Sequence, residues 1–264
     1  MDQKRLGSTD NTQNNLSMAD DGQNNMSLVE HLEEFRGRLI VAVITFLVAT
    51  IACLYFVEFF VQLILNLSEG YTLIAITPTE VVVEYMKVAL IMGVVISLPM
   101  IVYQVWGFIR PGMKKEERKV VFWALMAGLA FFIVGVVFAY TLMLPLTLVF
   151  LRGIDTTQTI SPMISIASFI SFVLSTLFTF GLVFEMPVLV VLLTQLGVLK
   201  PEWLIKSRKI AIVVIFIVAA IITPPDVMSQ LMIGIPMLLL YELSVLACRV
   251  IVRGKKKKDA HAAA

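Results

Sequence analysis

The feature that most constrains this chain is an apolar run over residues 164–186, which holds a single carboxylate, that of Glu185. A run of about 20 apolar residues is long enough to cross a bilayer as a helix. A carboxylate inside such a helix costs roughly 2.5–3.5 kcal/mol on insertion scales, which makes it a candidate functional residue. Pro187 can mark either a kink or the end of the helix. Glu185 is therefore either a functional residue or a carboxylate at the membrane edge, and the run alone favours neither.

The composition supports a membrane protein with several spans. Of the 264 residues, 59% are hydrophobic and only 15% are charged. Soluble domains contain about 45–50% apolar and about 25% charged residues, so a soluble core of this size could not bury so much apolar surface. We predict an all-α integral membrane protein.

Motifs of common enzyme classes are absent from the sequence. The two histidines, His31 and His261, belong to no HExxH motif, and the chain has neither a Gly-rich phosphate loop nor a GxSxG motif. Cys53 and Cys248 lie in apolar runs, where cysteine usually serves as a small packing residue. We therefore expect no catalytic residues, no metal, no cofactor and no nucleic-acid partner.

Changes in composition divide the chain into three parts. Residues 1–26 are polar and are expected to be disordered, residues 27–253 form the membrane domain, and residues 254–264 form a basic tail. Turn and capping residues separate six predicted spans within the domain. The first four cover residues 39–57, 78–108, 120–150 and 164–186.

The last two predicted spans are short. The fifth covers residues 210–223, and the uninterrupted apolar part of the sixth covers only residues 231–241. Fourteen residues extend about 21 Å as a helix, less than the hydrocarbon core of about 30 Å. A mismatch of this kind can thin the surrounding bilayer. The second span is about 46 Å long as a helix, so its first turns, with Glu84 and Lys87, should extend beyond the bilayer.

The basic residues predict the orientation. Six spans place all but two of the 21 lysines and arginines on one side of the membrane, and the two exceptions are Lys87 and Arg152. Because basic loops stay in the cytoplasm, we expect both termini to be cytoplasmic.

Six segments distributed along the chain together form a specific pattern. In order, they are HLEEFRGR, QVWGFIRPGMKKEER, GVVFAYTLMLPLTLVF, FGLVFEMP, TPPDVMSQ and IPMLLLYE. They resemble, in the same order, segments of the TatC family, the polytopic receptor subunit of the twin-arginine protein translocase. The resemblance covers about residues 27–250, and Phe35 departs from the family pattern, in which leucine is usual.

The resemblance implies protein export across the bacterial inner (plasma) membrane. It implies a core receptor that binds twin-arginine signal peptides of folded proteins at the cytoplasmic face. TatA- and TatB-type single-span subunits would assemble with it into an oligomeric complex, and the protonmotive force would drive transport. The implied fold has a concave groove lined by the membrane glutamate.

The resemblance also implies site residues at the cytoplasmic face. Glu34 and Glu117 match the positions that receive the two arginines, and carboxylates suit guanidinium groups through charge-assisted, often bidentate hydrogen bonds. Either could instead be a solvated carboxylate that balances basic neighbours. Arg36 would belong to the same recognition surface, with anchoring at lipid headgroups as the alternative. Gln104 and Phe108 would border the patch, with a role at the inner end of the second span as the alternative. By contrast, we assign Arg38 to anchoring at lipid headgroups.

Two further groups of residues carry roles by resemblance. Glu185 and Gln230 would be polar contacts for a partner span within the membrane. Pro78 and Asp226 would belong to an external cap, although helix capping explains them almost as well. The alternative function is a proton-coupled small-solute transporter with Glu185 as proton carrier, but the chain lacks the internal repeat typical of that class.

Overall fold

The structure, a computed structural model, describes residues 28–69, 71–153, 163–223 and 227–262. Its regular elements are helices joined by short turns, with two short strands. In chain order they are α1 (Leu28–Tyr55), α2 (Val57–Leu65), a 3₁₀ turn (Asn66–Ser68), β1 (Thr72–Ile74), α3 (Glu80–Ile109), a 3₁₀ turn (Arg110–Gly112), α4 (Lys115–Phe138), a π turn (Ala139–Met143), α5 (Leu144–Gly153), β2 (Met163–Ser165), α6 (Ile166–Gln195), α7 (Pro201–Lys206), α8 (Arg208–Ile222) and α9 (Val227–Ala262).

Five stretches of helix within the described residues are long and apolar enough to cross a membrane. They lie in α1, α3, the continuous α4–α5 segment, α6 and α9. The fifth predicted span corresponds to α8, which has only 15 residues and so extends about 22 Å. The prediction that this helix is short is confirmed.

The prediction that the last helix is also short is wrong. Helix α9 has 36 residues, and 28 of them form an apolar stretch long enough to span a membrane. The sequence suggested a short span because Glu242 ends the purely apolar run. A single carboxylate does not end a helix, and that of Glu242 accepts a hydrogen bond from Arg208 Nη2 at 2.6 Å. Glutamate is a good helix former, and the helix continues past Glu242 without a break.

The helices pack around two groups of buried apolar side chains. Helix α1 lies against α3, α4 against α6, and α9 against both α6 and α8. The first group joins α2, α3, α5 and the start of α6: Val61, Ile64, Val88, Leu144, Leu148, Phe169, Ile170, Val173 and Leu174. The second joins the π turn, the middle of α6, α8 and α9: Ala139, Met143, Phe180, Ala219, Ile233 and Met237.

A small sheet closes the end of the molecule where α3 and α6 begin. Strands β1 and β2 pair in parallel, with Thr72 opposite Met163. Glu80 joins the two segments, since its carboxylate accepts hydrogen bonds from the Ile76 amide at 2.6 Å, the Ala167 amide at 2.9 Å and the Ser165 hydroxyl. This strand pair was not part of the all-α prediction, because three-residue strands carry no recognisable alternation.

Glycine allows the close crossing of α4 and α6. A Cβ placed on Gly135 would lie 2.6 Å from the backbone oxygen of Phe180, and one placed on Gly181 would lie 2.6 Å from the Phe132 ring. Real Cβ atoms do not approach other atoms so closely, and a backbone oxygen cannot rotate away. The two helices must therefore separate if either glycine gains a side chain.

We expect Gly135→Val to destabilise the protein by about 1–3 kcal/mol, the usual cost of overpacking a well-packed contact. Thermal unfolding of the purified protein in detergent measures this effect. Gly153→Val is the matched control, because a Cβ on Gly153 meets nothing within 4 Å. Equal losses in the two variants would show that helix propensity, rather than the crossing, explains the result.

Candidate functional site

The start of α1, the end of α3 and the start of α4 meet at one end of the molecule. The rings of Phe35 and Phe108 lie 5.2 Å apart, which joins α1 to α3. The rings of Trp106 and Phe122 lie 5.5 Å apart, which joins α3 to α4. Glu34 on α1 and Glu117 on α4 therefore lie at the same end, as their proposed shared role requires.

Glu34 is already engaged by an arginine of its own helix. Its Oε1 accepts hydrogen bonds from Arg38 Nε at 3.0 Å and Nη2 at 2.7 Å. Its Oε2 is buried and has no hydrogen-bond partner among the described residues. The Arg38 guanidinium lies across α3 at Gly107, where a Cβ would overlap it.

The assignment of Arg38 to a lipid anchor stays a prediction. Its side chain is 30% exposed, and its guanidinium faces a neighbouring helix and a carboxylate. The four-residue spacing between Glu34 and Arg38 was the available signal, since side chains four apart share a helix face. The glycine on α3 was not recognisable as part of the contact, because 69 residues of sequence separate it from Arg38.

Glu117 lies in the first turn of α4 and caps it. Its Oε2 accepts a hydrogen bond from the Lys114 amide at 3.3 Å, and its own amide donates to the Lys114 carbonyl at 3.0 Å. The side chain is half-buried. Its Oε1 has no hydrogen-bond partner among the described residues. The carboxylate thus supports the helix start and keeps one oxygen available for a cation.

The other three predicted residues of this patch differ in exposure. Gln104 and Phe108 are half-buried on the last two turns of α3, and Phe108 packs on Phe35 beside Glu34. Arg36 is exposed. The structure thus brings Phe108 next to Glu34 and places Arg36 on the surface of α1.

Glu185 lies within α6 and packs against α4. A Cβ on Gly128 would lie 2.6 Å from Glu185 Oε2, so the absence of a side chain on α4 makes room for the carboxylate. The side chain is half-buried, and no described residue forms a hydrogen bond or ion pair with it. The Glu185 side chain can therefore accept a hydrogen bond from another molecule when ionised, or donate one when protonated.

An apolar groove of about 700 Å³ lies where α4, α6 and α9 meet. Residues of α4, α6 and α9 line it, among them Trp123, Phe131, Pro187 and Ala247. Glu185 itself is not among the lining residues. A concave groove lined by the membrane glutamate thus stays a prediction.

The remaining predicted residues lie elsewhere. Gln230 in the first turn of α9 donates a hydrogen bond to the Phe216 carbonyl at 2.8 Å, so it joins α9 to α8 within the chain. Pro78 is exposed in the turn that precedes α3. Asp226 lies outside the described residues. Groups of three or more side chains that could hold a metal ion do not occur among the described residues.

An ion pair between a buried carboxylate and a partly exposed lysine near the start of α3 was not foreseen from the sequence. Glu84 is only 3% exposed, although it lies in the turns of α3 expected to extend beyond the bilayer. Lys87 Nζ donates to Glu84 Oε1 at 2.6 Å and to the Ser171 hydroxyl of α6 at 2.9 Å. The spacing of Glu84 and Lys87 indicates a pair, but its burial depends on α6, 84 residues away.

Comparisons with known proteins find similar sequences and a similar solved structure. The model of the family described as Sec-independent protein translocase protein (TatC) matches residues 30–236. The chain is similar to the Sec-independent protein translocase protein TatC of Aquifex aeolicus (strain VF5), with 39% identity over 235 residues that cover 87% of this chain and 98% of the relative. It is similar to TatC of Escherichia coli (strain K12), with 35% identity over 238 residues that cover 88% and 92% of the two chains. A solved structure described as the twin arginine translocase receptor TatC superposes with a TM-score of 0.74 at 39% identity, over 84% of this chain and 99% of that one.

Proposed function

We propose that this chain, which belongs to the TatC family of Sec-independent protein translocase proteins, binds twin-arginine signal peptides at the end where Glu34 and Glu117 lie. The family is a transport family and not a family of enzymes. Membership in it sets aside the alternative of a proton-coupled solute transporter. The protein is thus a translocase receptor component, and its peptide site is the proposal.

The main observation in support of this site is that the carboxylates of Glu34 and Glu117 lie at the same end of α1, α3 and α4. Each carboxylate has an oxygen without a hydrogen-bond partner among the described residues: Oε1 on Glu117, and Oε2 on Glu34, which is buried until the side chain turns. A guanidinium presents several N–H donors in a planar fork that matches a carboxylate, so two adjacent arginines suit two carboxylates. Phe35 and Phe108 form an apolar border beside Glu34, against which the stems of arginine side chains can pack.

The direction of insertion follows from the charges. The loop that joins α3 to α4 and the ends of α1 and α9 contain most of the lysines and arginines. We propose that this end faces the cytoplasm, that both termini are cytoplasmic, and that the protein lies in the bacterial inner membrane. A crossing by α8, the fifth of the six predicted spans, would be only about 22 Å long, which favours a locally thinned bilayer beside this helix.

The partners that we propose are single-span subunits of TatA and TatB type. Glu185 supports this proposal because it is a polar group within a membrane helix that has no partner among the described residues. A polar side chain on a partner helix would satisfy it, since an unpaired polar group in the bilayer is costly. Gln230 is a weaker contact for such a partner, because Phe216 already accepts a hydrogen bond from it. Transport of folded proteins would draw on the protonmotive force.

Binding of a labelled twin-arginine peptide to the purified protein in detergent tests the proposed function. We expect saturable binding that falls at least tenfold when both arginines of the peptide are changed to lysine, since lysine cannot form the bidentate contact. A peptide with the same residues in scrambled order is the control for non-specific adsorption. Equal affinity for the arginine and lysine peptides would refute recognition by these two carboxylates.

A further inference from the structure

We infer that Arg38 is an internal competitor for the guanidinium site on Glu34, and that it sharpens the preference for arginine over lysine in the incoming peptide. This inference rests on the proposed function, because it concerns how the proposed site is opened. It assigns Arg38 a role in selectivity in place of a role at the lipid surface.

Arg38 contacts Glu34 in the way that we expect an arginine of the peptide to do. Two nitrogens of one guanidinium, Arg38 Nε and Nη2, both donate to Glu34 Oε1. The glutamate and arginine side chains are only 23% and 30% exposed, so water screens this contact less than at an open surface. An internal cation thus occupies the carboxylate that we propose as the receptor for an external one.

The pair must open before a peptide arginine can bind Glu34 fully. Oε1 is engaged by Arg38, and Oε2 is buried so that no external donor can reach it. Rotation of the glutamate side chain exposes Oε2 but breaks the two bonds to Arg38. The protein therefore exchanges one guanidinium for another during binding.

Gly107 leaves the space that the Arg38 guanidinium occupies against α3. A Cβ at residue 107 would overlap Nη1 and Cζ of the guanidinium, so a side chain at this position would displace it. The ring contact between Phe35 and Phe108 joins the two helices beside this space. The position of Arg38 beside Glu34 thus depends on the glycine of a neighbouring helix.

This exchange disfavours lysine. An incoming arginine replaces the lost fork-shaped contact with an equivalent one, whereas an ammonium offers a compact point charge that does not. The protein binds the peptide only when the Glu34–Arg38 pair is open. The apparent affinity for the peptide is therefore reduced by the same factor as the population of that open state. Because partly exposed ion pairs are worth up to about 1 kcal/mol, the open state is disfavoured by up to about fivefold.

Peptide binding by Arg38→Gln provides the test. We expect the arginine peptide to bind about two- to fivefold more tightly than it binds the wild type. We expect the lysine peptide to gain more than the arginine peptide, so that the ratio of the two affinities falls. Arg208→Gln is the matched control, because it also removes an arginine paired with a glutamate, Glu242, and should leave both affinities unchanged.

Two further variants separate competition from a merely structural role. In a Glu34→Gln background, Arg38→Gln should have no additional effect, because the contested carboxylate is gone. Gly107→Ala should reproduce the loss of selectivity while it keeps the positive charge, since the methyl group displaces the guanidinium. Thermal unfolding of each variant verifies that it is folded.

The outcomes distinguish the inference from the proposed function. If the wild type binds neither peptide, the proposed function fails. If the wild type prefers arginine but Arg38→Gln and Gly107→Ala bind the arginine peptide more weakly, Arg38 positions Glu34 and the inference is overturned. An unchanged affinity ratio in both variants overturns it as well.

Discussion

Replacement of either proposed receptor carboxylate, by Glu34→Ala or Glu117→Ala, is expected to weaken binding of a twin-arginine peptide by roughly 10- to 100-fold. Hydrogen bonds to charged groups contribute about 1.5–3 kcal/mol, and each 1.4 kcal/mol is a factor of ten in affinity. Photo-crosslinking of a peptide that carries the probe next to its arginines measures the loss, which for Glu117→Ala should be complete at working concentrations.

The capping role of Glu117 calls for a second substitution. Glu117→Gln keeps an oxygen that can accept from the Lys114 amide, so the start of α4 should persist while the charge is lost. We expect the same loss of peptide binding in Glu117→Gln as in Glu117→Ala. Normal binding by the glutamine variant would mean that the helix cap, and not the charge, supports the site.

Exposed carboxylates nearby serve as controls. Glu33 precedes Glu34 on α1 but is exposed, and Glu202 is exposed in the first turn of α7. Both alanine variants remove one negative charge and should bind the peptide with wild-type affinity. A comparable loss in these controls would indicate a general attraction between a basic peptide and an acidic surface, and it would count against a specific site.

Export should fall by roughly tenfold or more in Glu185→Ala and remain close to normal in Glu185→Gln. A glutamine offers a hydrogen-bonding group of similar size beside Gly128, whereas alanine leaves a partner's polar group unpaired in the membrane. An unpaired buried polar group costs about 1–3 kcal/mol, and each 1.4 kcal/mol is a factor of ten. The rate at which a twin-arginine precursor appears outside the cytoplasm is the measurement.

A matched control removes a different polar group from the neighbouring span. Thr141 is exposed in the π turn and donates its hydroxyl hydrogen to the Val137 carbonyl of its own helix at 2.8 Å, so Thr141→Ala should export normally. Crosslinking to single-span subunits should be lost in Glu185→Ala and retained in Glu185→Gln. Normal export by both Glu185 variants would exclude a hydrogen-bonding role for this residue.

Local patterns in the sequence predict the helices and the shared end of the site. Apolar runs interrupted by loops rich in lysine and arginine define the spans, because hydrocarbon excludes charge and forces the backbone to form its own hydrogen bonds. The resemblance singled out Glu34 and Glu117, and their shared end follows because helices that alternate in direction place the start of the first span next to the start of the third. The short length of α8 also follows, because proline and polar residues bound it.

Only the tertiary structure decides which of these side chains meet. Three contacts join residues that are distant in sequence. Arg38 packs against Gly107, and Glu185 packs against Gly128. Lys87, the partner of the buried Glu84, donates a hydrogen bond to Ser171 of α6. Such contacts depend on where two helices cross and on which residue lacks a side chain at the crossing. The contact of Glu242 on α9 with Arg208 on α8 is likewise between residues of two helices, 34 positions apart. Periodicity and composition describe one helix at a time. They cannot predict these contacts, because each contact depends on how two helices pack against each other.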